Sequence, residues 1–212
     1  MLDEESASLD HGSNREKIGW KEIVAAAKRL QIEPCALLAV CTVESSGQGF
    51  LPSGKPKILF EGHIFWRELA KRRYQPEILA ASFPTILYRQ WTAMHYLGGE
   101  KEHARLETAM SLHREAALCS TSWGAFQIMG FNFALCGFRS VEDFVTAQSR
   151  GNHEQLEALC QLMVANNLHL YLQNKDWVSF ARRYNGPGYA QNHYDIKMAN
   201  AYQQCLRMQQ AS

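Results

Sequence analysis

The sequence predicts an α+β fold in which α-helices dominate and one small β-hairpin forms a separate lobe. Most of the chain repeats apolar residues at intervals of three and four, which is the spacing of an amphipathic helix. By contrast, residues 50–61 form two short extended runs on either side of a Pro-Ser-Gly-Lys-Pro turn. No internal repeat or low-complexity linker divides the chain. We therefore expect residues 15–212 to form one domain after a loosely attached polar tail at residues 1–14.

Length and composition are those of an ordinary globular protein. The chain has 212 residues, of which 46% are hydrophobic and 20% charged, and this is enough for one substantial core. The formal net charge of +1 excludes the strong global field that draws proteins to nucleic acid. No run of about 18 apolar residues is present, and the acidic start MLDEESASLDHGSN lacks the basic and apolar parts of a secretory signal. We expect no nucleic-acid partner, no membrane insertion and no signal peptide.

The second predicted helix brings a carboxylate onto an apolar face. Helical spacing extends over residues 17–30, and Pro34 then fits the first position of a helix at residues 34–44. Glu44 ends this helix, and three apolar residues share its face at helical spacing: Leu37, Val40 and Cys41. A carboxylate in such surroundings is costly to bury, which indicates acid/base chemistry. The alternative is an ordinary helix-end residue that points into water.

The hairpin carries a second carboxylate, Glu61. Alternation along the strand puts Glu61 on the face opposite Ile58 and Phe60, which we expect in the core. His63 would share the face of Glu61 if the strand continued, although a surface or helix-capping histidine is the simpler interpretation. The residues leave open whether Glu61 lines a cleft or only forms an ion pair with a nearby lysine or arginine.

The rest of the chain is predicted as a succession of helices that includes two further motifs. Ser120–Ser122 supply N-cap residues for a short helix at residues 123–129, in which Gln127 is a polar residue among apolar ones. Its amide is either a hydrogen-bonding group of the core or a ligand for a sugar. Tyr184 and Asn185 end another helix at a Gly-Pro-Gly turn, where a backbone either approaches a ligand closely or simply turns. The other predicted helices are 64–73, 88–97, 102–118, 141–149, 154–166, 177–184 and 194–208, and residues 75–85 are predicted to be irregular.

The cysteines and histidines show no metal-ligand spacing. No Cys-x-x-Cys pair occurs, and the eight histidines form no His-x-x-x-His pair on one helix face. Most of the cysteines lie within apolar helical patterns, and we interpret them as buried free thiols. The six are Cys35, Cys41, Cys119, Cys136, Cys160 and Cys205. We predict neither a metal nor another cofactor.

Three segments of the chain, in order, resemble one known family. The first, from Val43 to Arg67, reads VESSGQGFLPSGKPKILFEGHIFWR and resembles the core of the N-acetylmuramidase family of phage endolysins and bacterial peptidoglycan hydrolases. Residues 122–132 read SWGAFQIMGFN and are similar to the Gly-x-x-Gln-Ile segment of the wider lysozyme and lytic-transglycosylase superfamily. Residues 181–192 read ARRYNGPGYAQN and are similar to the Tyr-Asn-Gly segment of that superfamily.

The resemblance implies a lysozyme-like fold with the hairpin lobe beside an active-site cleft. It also implies cleavage of the β-1,4 bond between N-acetylmuramic acid and N-acetylglucosamine in peptidoglycan. Glu44 would be the general acid, with its pKa raised by apolar surroundings, and Glu61 would be a general base or an electrostatic stabiliser. The residues expected to bind substrate are Gln127, Tyr184 and Asn185, with His63 and Ser122 as further candidates.

Two other functions stay open at this point. A lytic transglycosylase uses one glutamate and closes a 1,6-anhydro ring instead of admitting water, whereas a glycan-binding module would keep the cleft without the chemistry. The resemblance further implies peptidoglycan glycan strands as the partner, and either a phage lysin or a bacterial effector as the setting. We expect a monomer made in the bacterial cytoplasm, which reaches the cell wall in the periplasm through a partner such as a holin.

Overall fold

The computed structural model describes residues 18–45 and 48–211, so the predicted tail at residues 1–14 lies outside the described chain. The described chain is mainly helical with a small antiparallel sheet, as predicted. None of its helices is both long enough and apolar enough to cross a membrane. The helices are α1 (Trp20–Leu30), α2 (Pro34–Glu44), α3 (Gly62–Lys71), α4 (Pro76–Ala80), α5 (Lys101–Cys119), α6 (Val141–Arg150), α7 (Asn152–Ala165), α8 (Leu168–Gln173), α9 (Trp177–Asn185) and α10 (Tyr194–Gln210). The strands are β1 (Ile58–Phe60), β2 (Thr121–Trp123) and β3 (Ile128–Met129).

Helix α2 lies at the centre of the helical core. Before Glu44 its residues are apolar except for the exposed Thr42, and α10 and α1 both pack against it. A disulfide bond between Cys35 and Cys205 joins α2 to α10. The prediction of free thiols is therefore wrong for these two residues, because their spacing of 170 residues gives no local sign that the two helices pack together. The other cysteines are free and buried, as predicted: Cys41, Cys119, Cys136 and Cys160.

The sheet joins parts of the chain that are far apart in sequence. Strand β2 lies between β1 and β3, and both pairs are antiparallel, with Leu59 opposite Ser122 and Ser122 opposite Met129. The predicted turn is present, since Phe50 forms a β-bridge with Pro56. The predicted pairing is nevertheless wrong for β1, which pairs with β2 rather than with the first run of the hairpin.

Two predicted helices do not form. Residues 123–129 contain the end of β2, a turn and β3, because Gly124 and Gln127 have φ values of 74° and 48°, which an α-helix cannot include. Residues 88–97 belong to a long irregular segment between α4 and α5. Conversely, α4 forms within a stretch that we predicted to be irregular, with a proline in its first turn.

Candidate active site

Glu44 is the last residue of α2, and its side chain is partly buried beside a cavity. The Asn185 Nδ2 group donates a hydrogen bond to the Glu44 Oε2 atom at 2.9 Å. The Oε1 atom is buried and has no hydrogen-bond partner among the described residues. Burial raises the pKa of Glu44 to about 7, although the hydrogen bond from Asn185 acts in the opposite direction. A carboxyl group with this pKa keeps its proton in a large fraction of molecules near neutral pH, as a general acid must.

The cavity beside Glu44 has a volume of about 550 Å³. That volume is in the range of small-molecule sites and accommodates part of a glycan chain. Its walls come from the end of α2, the β2–β3 turn with β3 and the segment after it, the end of α7 with the start of α8, the end of α9 and the start of α10. Four of the predicted site residues line it. The polar residues of the lining are Glu44, Gln127, Asn132, Asn166, Arg183, Tyr184, Asn185 and Tyr194.

Gln127 lines the cavity, but protein groups hold its amide. The Nε2 atom donates to the carbonyl oxygens of Gly124 at 2.8 Å and Lys57 at 3.3 Å. The Oε1 atom accepts a hydrogen bond from Ser122 Oγ at 2.9 Å, and Ser122 itself is buried. These contacts support the interpretation of Gln127 as a hydrogen-bonding group of the core. Ser122 lies behind the cavity wall, where it fixes the Gln127 amide.

Tyr184 and Asn185 lie at the end of α9, as predicted, and α9 brings them to Glu44. The helix ends there because Gly186 takes a φ of 76°, in the left-handed region that favours glycine. Tyr184 stacks on Phe180 with ring centroids 5.7 Å apart, and burial raises the pKa of its phenol. The Oδ1 atom of Asn185 is buried without a hydrogen-bond partner in the described chain, so it can accept one from a ligand in the cavity.

Glu61 and Ser122 lie on the same face of the sheet. Its backbone is extended and its N–H group donates to Ser120 O at 2.9 Å, so the alternation of β1 continues through it. Ile58 and Phe60 point to the core, with exposed fractions of 4% and 0%, as predicted. Glu61 is not among the residues that line the cavity beside Glu44.

Two side chains lie against the Glu61 carboxylate. The Tyr96 hydroxyl donates a hydrogen bond to Oε2. The His63 Nδ1 atom lies 3.3 Å from the same oxygen, but the angles are not those of a hydrogen bond. Burial lowers the pKa of His63, although the nearby Glu61 charge acts in the opposite direction. His63 is therefore a neutral, buried neighbour of Glu61 near pH 7.

Sequence reasoning missed Arg183, Tyr194 and Tyr96. Arg183 and Tyr194 line the cavity. Arg183 directly precedes Tyr184 in the third motif, and this position could have identified it. No local signal marks Tyr96, which reaches Glu61 across 35 residues of sequence. In residues 18–45 and 48–211 no cluster of three metal-ligating side chains occurs.

The fold and the site together define a lysozyme-like glycoside hydrolase. A mainly helical domain with a small sheet places a protonatable glutamate beside a polar cavity of saccharide size. This class protonates a glycosidic oxygen with a carboxyl group of raised pKa.

Comparisons with known proteins specify the family. A family model described as N-acetylmuramidase matches residues 33–206. The crystal structure of the Burkholderia AP3 phage endolysin is similar, with a TM-score of 0.84 and 40% sequence identity over 90% of this chain and 71% of that chain. No curated protein matches. The chain belongs to the N-acetylmuramidase family, which confirms the resemblance and the lysozyme-like fold, and it is a glycoside hydrolase of peptidoglycan.

Proposed function

We propose that this muramidase cleaves the β-1,4 bond between N-acetylmuramic acid and N-acetylglucosamine with Glu44 as the general acid and Glu61 as the second carboxylate. The observation that carries this proposal is the position of Glu44, at a cavity of about 550 Å³ with a pKa raised to about 7. Glu61 supports it from the partly exposed face of the sheet, where Tyr96 donates a hydrogen bond to its side chain and His63 packs beside it.

The reaction uses the two carboxyl groups in different protonation states. Glu44 donates its proton to the glycosidic oxygen as the bond from that oxygen to the anomeric carbon breaks, and the positive charge that develops on the sugar is stabilised by ionised Glu61. A water molecule then bonds to the anomeric carbon and passes a proton to Glu61. The products are a free reducing end and an alcohol, and proton exchange with solvent restores both carboxyl groups.

The remaining candidates divide between direct and indirect roles. Asn185 and Tyr184 reach the cavity beside Glu44, so we assign them to the sugar and its acetamido group. Gln127 also lines the cavity, with Ser122 fixing its amide from behind. His63 packs beside Glu61, where its neutral ring avoids a permanent ion pair with the second carboxylate.

The test is a digest of purified peptidoglycan analysed by mass spectrometry before and after borohydride reduction. We expect reducible muramic-acid ends from the wild type, none from Glu44→Gln, and a loss of orders of magnitude for Glu61→Gln. Glu107→Gln is the matched control, because Glu107 is exposed on α5. Products that are lighter by one water and resist reduction would indicate a lytic transglycosylase, and Glu61 would lose its role as a base.

We further propose an endolysin-type role, in which a monomer made in the cytoplasm acts on the wall after a holin opens the inner membrane. The likeness to a phage endolysin supports this setting. Expression in a bacterial host should cause lysis only when a holin is co-expressed. Lysis of equal speed without the holin would overturn this part of the proposal.

A further inference from the structure

Residues 81–100, which connect α4 to α5, are the most unusual connection in the described chain. They contain neither a helix nor a strand. Connections longer than about 12–15 residues without regular structure are uncommon in compact domains, and they usually serve a function. We refer to residues 88–98 within this connection as the aromatic loop.

Two aromatic side chains of this loop contact Glu61 and the residue after it, and a third lies beside them. The Tyr96 hydroxyl donates to Glu61 Oε2, and the indole of Trp91 lies near the Tyr96 phenol. The Tyr88 hydroxyl accepts a hydrogen bond from the Gly62 backbone N–H at 3.3 Å. A Cβ atom on Gly62 would lie 2.4 Å from the Tyr88 ring, so only glycine leaves room for this contact.

A buried ion pair fixes the loop relative to Glu61. Glu102 and Arg105 pair at 2.8 Å, and both are buried. On one side they bind the backbone of Phe60, directly before Glu61, through its N–H at 3.2 Å and its carbonyl at 3.1 Å. On the other side Glu102 accepts hydrogen bonds from the backbone of Leu97 and Gly98, while Arg105 donates to Thr85 O. The pair therefore holds the chain just before the loop, the C-terminal end of the loop, and the strand that directly precedes the second carboxylate.

The loop presents large apolar side chains to solvent in spite of this rigid attachment. Trp91 is 65% exposed, Met94 87% and Leu97 58%. Single exposed apolar residues are common, but these three lie on one loop that hydrogen bonds tie to the Glu61 strand. The apolar C–H face of a pyranose ring fits against an exposed indole, while the sugar hydroxyls remain in water.

We propose that the aromatic loop is a saccharide-binding wall of the cleft, in which the exposed ring of Trp91 stacks on a sugar of the glycan strand and Tyr96 positions the Glu61 carboxylate. The inference rests on the proposed role of Glu61. It extends the substrate site from the cavity beside Glu44 to the Glu61 side of the sheet. Trp91 contacts the substrate, whereas Tyr96 acts only through Glu61.

The two residues predict different kinetic defects with a soluble glycan oligosaccharide prepared from peptidoglycan. Tyr96→Phe should lower kcat by about tenfold or more and leave KM within about twofold, since the carboxylate loses its donor. Trp91→Ala should raise KM by about tenfold, while Trp91→Phe, which keeps an aromatic ring, should raise it much less. Tyr74→Phe is the matched control, because Tyr74 is exposed and lies away from this network.

A double variant separates positioning from a direct role. In the Glu61→Gln background, Tyr96→Phe should cause no further loss, because a residue that acts through Glu61 has nothing left to position. A binding readout independent of turnover uses the fluorescence of Trp91 in the Glu44→Gln protein. The oligosaccharide should change this emission with Glu44→Gln alone and much less with Glu44→Gln/Trp91→Phe.

The outcomes distinguish the two proposals. Full activity of Glu61→Gln would overturn the role of Glu61 and, with it, the positioning role of Tyr96. A strong defect in Glu61→Gln together with unchanged kinetics in Tyr96→Phe and Trp91→Ala would overturn only the saccharide-binding wall. Circular dichroism and thermal melts of each variant exclude loss of fold, and the fluorescence titration decides the role of Trp91 where turnover is too low to measure.

Discussion

At the scale of single residues, the environment of Glu44 favours its protonated form and is also a source of instability. Burial raises its pKa from 4.5 to about 7, and the negative end of the α2 dipole lies at the same position. Ionised Glu44 has a hydrogen bond from Asn185 on one oxygen only. Ionisation of Glu44 therefore lowers the stability of the folded protein by an amount that depends on pH.

Glu44→Gln should stabilise the protein above neutral pH. Since the folded chain binds the Glu44 proton more tightly than the unfolded chain, this contribution to stability is complete below about pH 4.5 and is lost as the pH rises through about 7. The variant has no proton to lose. Thermal melts from pH 4 to pH 9 should show a gain over wild type that grows across this window to at most about 3 kcal/mol. An equal gain at pH 4, or the same gain in Glu107→Gln, would contradict the assignment.

Asn185→Ala should move the alkaline limb of the activity profile to higher pH. The Asn185 N–H group stabilises the ionised form of Glu44, so its removal raises the pKa of Glu44 further above about 7. The measurement is kcat/KM against pH, in which the alkaline limb reports ionisation of the acid in the free enzyme. Asn192→Ala, an exposed asparagine in the same motif, should leave the limb in place.

At the scale of elements, one buried glutamine of α7 fixes the segments on either side of the site. The Oε1 atom of Gln155 accepts a hydrogen bond from Ala125 N at 2.7 Å, and its Nε2 atom donates to Gly49 O at 3.4 Å. Gly49 follows Glu44 along the chain, and Gly124 precedes Gln127. Both glycines lie so close to Gln155 that an added Cβ would overlap it. Helix α7 therefore sets the path of the chain between the two motifs, and its C-terminal end also lines the cavity through Leu162.

Gly49→Ala should destabilise the protein by about 1–3 kcal/mol. Its Cβ would lie 2.1 Å from Gln155 Oε1, so either the loop or the glutamine must move. Gly188→Ala is the matched control, since a Cβ there meets nothing within 4 Å. Urea unfolding of the two variants measures the difference, and equal midpoints would show that the loop adapts without cost.

The elements that the sequence predicted correctly are those that depend on local spacing. Pro34 begins α2 and Glu44 ends it, and the alternation around Phe60 gives the correct faces for β1. Two features depend on residues that are far apart in sequence, so no local pattern predicts them. These are the pairing of β1 with β2 and the contact of Tyr96 with Glu61. The helix predicted at residues 123–129 does not form because its apolar residues pack around a turn with two left-handed residues, Gly124 and Gln127, and Gln127 gave no local sign of this conformation.

At the scale of the whole molecule, the disulfide bond joins the helix that carries Glu44 to the last described helix. It closes a loop with a sequence separation of 170 residues, and α2 and α10 also share an extensive packed face. A link across so much chain restricts the unfolded state strongly.

Reduction should therefore lower stability by about 2–5 kcal/mol. The melting temperature of the wild type should fall in dithiothreitol, whereas that of the Cys35→Ser/Cys205→Ser variant should be low in both conditions. The other described cysteines are buried thiols, so they should not contribute to the effect. A melting temperature that dithiothreitol does not change would contradict a stabilising role for this bond.

The hydrogen bond between Glu44 and Asn185 has a consequence for the order in which the ribosome makes the enzyme. The two residues are 141 positions apart. At about 5–20 residues per second, roughly 7–28 s pass between their synthesis. For most of that time the nascent chain contains both glutamates but lacks the α9 wall of the cavity. Premature termination in this interval would release a chain with the proposed acid and without the α9 wall of its site.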